Sequence, residues 1–121
     1  MPDRPSAPDL ASRRCQPCEA GATPLAPDAV AALVAALPAW RLSGDGTRIR
    51  RDLEFSDFRA AVKFVNNVAA LAEREGHHPE FHVERYRRVW IELTTFAIGA
   101  LSENDFIVAA KIDVIAPPAA A

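Results

Sequence analysis

The three histidines of this chain, His77, His78 and His82, fall within six residues of one another. They belong to the stretch Glu73-Arg74-Glu75-Gly76-His77-His78-Pro79-Glu80-Phe81-His82. Imidazole exchanges protons near neutral pH, with an ordinary pKa of about 6.5. Two adjacent imidazoles ahead of a backbone-stiffening proline make an acid–base station. The same pair also fits a plainer role at a helix end, where a cationic ring favours the helix dipole. Metal binding by His77, His78 and His82 is a third use. Adjacent turn histidines seldom chelate one ion, and no cysteine or carboxylate at suitable spacing completes a shell, so no metal is expected.

The other chemical candidate is Cys15-Gln-Pro-Cys18. A tetrahedral zinc needs four ligands, and neither a second Cys-x-x-Cys nor a histidine pair at finger spacing is present. No strand precedes the motif as a redox pair would require. It reads as two ordinary thiols in an N-terminal loop.

Residues 57–75 must position the histidines. Phe58, Ala61, Val62, Val65, Val68, Ala69 and Ala72 recur at three and four, which is a helical stripe. Ser56 is a candidate N-cap and Gly76 a stop, so the helix delivers His77 and His78 at its end. An earlier helix is expected over 28–37, ended by Pro38. Residues 40–55 read as a β-hairpin around Gly44-Asp45-Gly46, with Ile49, Leu53 and Phe55 in strand period and Arg51 a polar interruption. Two strands follow Pro79: Phe81 and Val83 mark the first, and Val89, Ile91 and Leu93 alternate with polar neighbours in the second. His82 faces opposite to Phe81 and Val83. The turn at Arg85-Tyr86-Arg87-Arg88 carries no Gly, Asn or Pro. Phe96–Leu101 is a loop. Ser102-Glu103-Asn104-Asp105 resembles a capping box that opens a last helix, stopped by Pro117 and Pro118.

The order α-β-β-α-β-β-α implies an α+β fold: a four-stranded antiparallel sheet with three helices on one face. The opposite face is expected to carry Arg41, Arg48, Arg50 and the Trp90 side of its strand. The chain is read as disordered over 1–13, a single domain over 14–116, and a loose tail over 117–121. Its 121 residues carry a formal net charge of −2, which argues against a nucleic-acid partner. The absence of an 18-residue apolar run argues against a membrane span, and a cytoplasmic location is expected.

These residues resemble the pterin-4a-carbinolamine dehydratase family. Its motif runs Glu-x3-His-His-Pro, an aromatic, a third histidine and an aspartate. Glu73, His77, His78 and Pro79 fit the first part, Tyr86 supplies the aromatic, and Asp105 stands at the aspartate. Leu93-Thr94-Thr95, Ile112-Asp113 and the lead-in Cys15-x-Pro-Cys18-Glu19 with Pro24-Leu25 match as well. The third histidine is replaced by Phe96, which can neither donate nor accept a proton. One residue more than in the shorter family form lies between Pro79 and Tyr86, which shifts the local strand register.

The resemblance implies that His78 is the principal acid–base residue and that His77 binds and polarises the substrate. Glu73, Pro79 and Tyr86 lie at or beneath the pterin, and Asp105 is a helix cap. No cofactor is implied. With Phe96 in place, the resemblance points to a degraded site and to the family branch that assists Rubisco assembly in bacteria with α-carboxysomes. The Rubisco large subunit is then the partner, and Arg48, Arg50, Arg51, Arg85, Arg87 and Arg88 the surface for it. The alternative is an active dehydratase converting a 4a-hydroxytetrahydropterin to quinonoid dihydropterin and water on His77 and His78. Open sheet edges and the family's habit imply a homodimer or a tetramer.

Overall fold

Two hairpins build one antiparallel sheet. The structure, a computed structural model, describes residues 5–16 and 23–117. Its strands are β1 (Arg41–Leu42), β2 (Ile49–Glu54), β3 (Glu80–Glu84) and β4 (Arg88–Leu93), in the order β1-β2-β4-β3. The helices are α1 (Ala7–Ser12), α2 (Pro27–Ala36), α3 (Phe58–Glu75) and α4 (Glu103–Ile115), with a single 3-10 turn at Phe96–Ile98. The expected element order therefore stands, preceded by one extra helix. Cys18, Glu19 and the tail beyond Pro117 lie outside the described residues.

Alternation sorts the sheet into two faces. Ile49, Val89, Ile91 and Leu93 are buried and join one core cluster with Val30 and Leu33 of α2, Phe64 and Val68 of α3, and Phe106 and Ile107 of α4. Arg50 pairs with Glu92 and with Arg41, and Asp52 and His82 both pair with Trp90, on the face away from the helices. An antiparallel sheet tolerates one face in water, and this one lines it with charge. Arg51 breaks the pattern, because its position points it towards the helices. It is nearly buried there, ion-paired with Asp113 of α4. The same carboxylate accepts the indole N–H of Trp40 at 2.9 Å. The polar interruption in the strand is thus one half of a buried pair, and Arg51 does not belong to an exposed arginine surface.

Three local expectations are corrected. The N-cap of α3 is Asp57, whose carboxylate accepts the Ala60 N–H at 2.8 Å, rather than Ser56. The buried stripe of α3 is Ala61, Phe64, Val68, Leu71 and Ala72. Phe58 is 55% exposed and Ala69 is exposed as well. The stripe read at 58, 62, 65 and 69 was rotated because valine and alanine are apolar on either side of it, and only the packing of Phe64 and Leu71 fixes the angle. The segment 1–13, expected to be disordered, contains α1, whose Leu10 is fully buried in the core. Burying one leucine contributes about 2 kcal/mol towards docking this helix.

Glu75 ties the segment after α1 to the rest. Its side chain is 5% exposed and accepts the Cys15 N–H at 2.9 Å, with Arg14 and Lys111 each 3.6 Å away. Burial raises its pKa, but the Cys15 N–H and the two cations outweigh that and hold it below the ordinary value. A depressed carboxylate pKa contributes stability above the unfolded-state value and loses it as pH falls through the folded-state value. Glu75→Gln is therefore expected to cost about 1–2 kcal/mol at neutral pH. The gap from wild type should close in acid, below the ordinary carboxylate range. Urea unfolding of both proteins at neutral and acid pH measures this, and a gap that widens in acid would contradict it.

Candidate functional site

The two adjacent histidines point in different directions. Gly76 ends α3 in the left-handed conformation, at φ 65°, where a side chain would be strained. The chain turns there, and the two rings diverge. His77 goes inward and is 5% exposed; its Nε2 lies 2.6 Å from Oδ1 of Asp105, which is fully buried. His78 goes outward, and its Nε2 meets Oε2 of Glu73, back on the last turns of α3. Both of those side chains are mostly exposed, at 61% and 77%. Pro79 then forms the corner into β3.

Asp105 does more than the cap expected of it. Its second oxygen, Oδ2, accepts the Ser102 N–H at 2.9 Å and the Thr95 hydroxyl at 2.8 Å. The Thr95 and Ser102 hydroxyls are themselves 2.7 Å apart. A buried carboxylate is costly unless its lone pairs are filled, and both oxygens of this one are engaged. Hydrogen bonding to a fixed carboxylate orients an imidazole and selects which nitrogen carries the proton. Thr95 and Ser102 are thus part of the support for His77. The sequence reading placed them only as a strand ending and a cap, because the convergence of three distant segments is not written in any local spacing.

Phe96 follows Thr95 immediately and opens the 3-10 turn, with its ring 64% exposed. The guanidinium of Arg48 lies over that ring, Cζ 5.9 Å from its centroid. Arg48 also donates from Nη1 to Glu80, two residues past His78. That hydrogen bond pushes the Arg48 pKa further up. His77, His78, Glu73, Pro79 and Phe96 are therefore brought to one end of the sheet, joined by Arg48 and Glu80, which the sequence reading did not assign to the site.

Tyr86 is not brought there. It sits at the far tip of the β3–β4 hairpin, 59% exposed, beyond the whole of β3, which rises about 13 Å from Glu80 to Glu84. Arg85 and Tyr86 both have positive φ, 48° and 55°. The turn thus forms without the glycine or asparagine such angles favour. His82 faces the open side of the sheet as expected and stacks on Trp90, with centroids 4.6 Å apart. The three histidines do not converge, and among the described residues no group of three His, Cys, Asp or Glu side chains is placed to hold a metal ion. Of the arginines offered as a partner surface, Arg48, Arg50 and Arg87 are ion-paired to Glu80, Asp52 and Glu54.

Replacing Asp105 by alanine removes the acceptor of His77, Thr95 and the Ser102 N–H at once. The expected loss is about 3 kcal/mol or more, because buried donors are left unmet. A chemical-denaturation midpoint for Asp105→Ala within experimental error of wild type would show that this carboxylate supports neither the fold nor the ring.

Comparisons with known proteins bear on the family and the fold. The family model described as Pterin 4 alpha carbinolamine dehydratase matches residues 23–115. A protein of Nitrosospira multiformis, provisionally named pterin-4-alpha-carbinolamine dehydratase, is 43% identical over 107 residues, covering 88% of this chain and 92% of its own. A protein of Dechloromonas aromatica under the same provisional name is 45% identical over 105 residues, covering 87% and 91%. The crystal structure of a transcriptional coactivator/pterin dehydratase from Brucella melitensis superposes with a TM-score of 0.73 at 30% identity, over 78% of this chain and all of that one. A pterin dehydratase-like protein identified as a RuBisCO assembly factor in the alpha-carboxysome superposes with a TM-score of 0.53 at 25% identity, over 63% and 87%. Matched from the loop before α2 to the last residue of α4, with the His-His-Pro corner on the end of α3, this chain belongs to the pterin-4-alpha-carbinolamine dehydratase family.

Proposed function

We propose that this protein binds a reduced pterin beside His77 and His78 and dehydrates a 4a-hydroxytetrahydropterin slowly. The observation that carries the reading is the pairing of an exposed His78 with a buried His77 whose ring is held by Asp105. Dehydration removes an N–H proton from the ring and breaks the C4a–O bond. The hydroxyl leaves as water after receiving a proton, and the ring becomes the quinonoid dihydropterin. His78 reaches solvent and is suited to exchange those protons, with Glu73 steadying its ring. His77 is suited to bind and polarise the substrate. No cofactor enters the step. Phe96 removes one proton-handling group, and a missing acid–base partner costs about 10²–10⁴ in rate.

A second reading is a non-enzymatic role in Rubisco assembly, with the large subunit as partner. Its support is the likeness to the assembly factor and the loss of a titratable group at Phe96. That likeness spans less of the chain, at lower identity, than the likeness to the proteins named as dehydratases. The dehydratase reading therefore stands first here. Under either reading we place the protein in the cytoplasm; among the described residues no helix is long and apolar enough to cross a membrane. We also place it in a homodimer or tetramer. Among the described residues β3 is an edge strand and exposes Phe81 and Val83, a surface that favours self-pairing.

Turnover of a 4a-hydroxytetrahydropterin by wild type, His78→Ala and Phe96→His tests the first reading. The wild type should be slow, His78→Ala slower by about 10²-fold or more, and Phe96→His faster by a similar factor. A wild type without turnover that Phe96→His fails to rescue would remove the enzyme reading. Capture of Rubisco large subunit by the purified protein tests the second, and failure to retain it at micromolar concentration counts against that role. Light scattering on the same preparation reports the oligomer, and a monomer mass would reject the edge-paired assembly.

A further inference from the structure

Arg48, Glu80 and Phe96 come from separate parts of the chain and meet at one spot. Arg48 precedes β2, Glu80 opens β3, and Phe96 opens the 3-10 turn. Arg48 is held in place through its backbone. Its N–H donates to the Ser43 hydroxyl at 3.1 Å and its carbonyl accepts the Ser43 N–H at 2.9 Å. The carbonyl of Thr47 takes the Thr94 hydroxyl at 2.6 Å. The loop behind it is closed by Asp45, which accepts from both hydroxyls of Ser43 and Thr47 and from the Thr47 N–H. Those donors hold the Asp45 carboxyl at about 2. Arg48 is thus delivered by a fixed loop, and ordering it for a ligand carries little further entropy cost.

The position of this group ties it to the histidines. Glu80 is two residues past His78, and Phe96 adjoins Thr95, which shares Asp105 with His77. Phe96 is 64% exposed, and the Arg48 guanidinium lies over its ring with Nη1 on Glu80. Guanidinium is a planar fork, so Nε and Nη2 remain for a second acceptor. A neutral heterocycle offers such a cation only ordinary carbonyl or ring-nitrogen acceptors, whose hydrogen bonds are roughly half as strong. A carboxylate substituent offers a charge-assisted bidentate contact.

Resting on the pterin-binding reading above, we propose that Arg48 is a specificity-determining residue that selects pterins carrying a carboxylate-bearing substituent, with the acid on Arg48 and the pterin ring beside the Arg48–Phe96 pair. Glu80 competes for the same cation and sets how strong the selection is.

Equilibrium binding of two fluorescent probes tests this: pterin-6-carboxylic acid and the neutral 6-hydroxymethylpterin, each titrated with wild type, Arg48→Ala and Glu80→Gln. Wild type should hold the carboxylate about tenfold more tightly, the scale of one hydrogen bond to a charged group. Arg48→Ala should bring the ratio of affinities to about one. Glu80→Gln should raise it, since the competing carboxylate is gone. Both variants break the same ion pair, so a merely structural role would move the ratio alike in both, and that result would overturn the proposal. Equal wild-type affinity for the two probes would overturn the selection and leave the pterin site standing. Binding of neither probe would overturn both.

Discussion

The carboxylate of Asp105 is the constraint on which the rest of the structure depends. It is fully buried, and a buried charge is tolerated only where its lone pairs are filled. The groups that fill them come from three places: His77 at the end of α3, Thr95 after β4, and the Ser102 N–H that would otherwise go unmet at the start of α4. The end of α3 and the beginning of α4 must therefore meet at the same point. The position of His77 follows from that meeting, and with it the outward turn of His78.

A second carboxylate, partly buried, works further along the same helix. Asp113 lies eight residues beyond Asp105, about 12 Å along α4 at helical rise. It takes Arg51 from β2 and the indole N–H of Trp40 from the connection ahead of β1. Between the two, Lys111 donates to the Ala11 carbonyl of α1, and just before Asp105 the Asn104 side chain exchanges hydrogen bonds with Gln16. Apolar packing alone is non-directional and would let α4 slide or rotate. These polar contacts fix its register against the sheet, against α3 and against the N-terminal segment.

The site that results is uneven. One histidine is nearly buried and held by a carboxylate, and the other is open to water and held by Glu73. Where the family motif has a third histidine, an aromatic face with a cation above it takes its place. That corner carries an aromatic surface and a charge.

Residue types and local spacing determined the strands, the span of α3, its stop at Gly76 and the cap at Asp105, because each is set by contacts within a few residues. Alternation at Val89, Ile91 and Leu93 also declared which sheet face is covered. The resemblance carried the histidine pair and the loss at Phe96. The tertiary structure alone decided what Arg51 was for, since its partner Asp113 is 62 residues away. It also decided that a polar-looking N-terminus hides a buried Leu10, and that α3 packs on Phe64 and Leu71. Tyr86, placed near the site by motif spacing, was sent to the other end of a strand. Spacing counts residues along the chain, whereas a strand carries each residue about 3.3 Å further from where it began. Only the folded chain fixes which distant groups share a buried carboxylate, because the cost of leaving one unpaired is met by partners that no local pattern specifies.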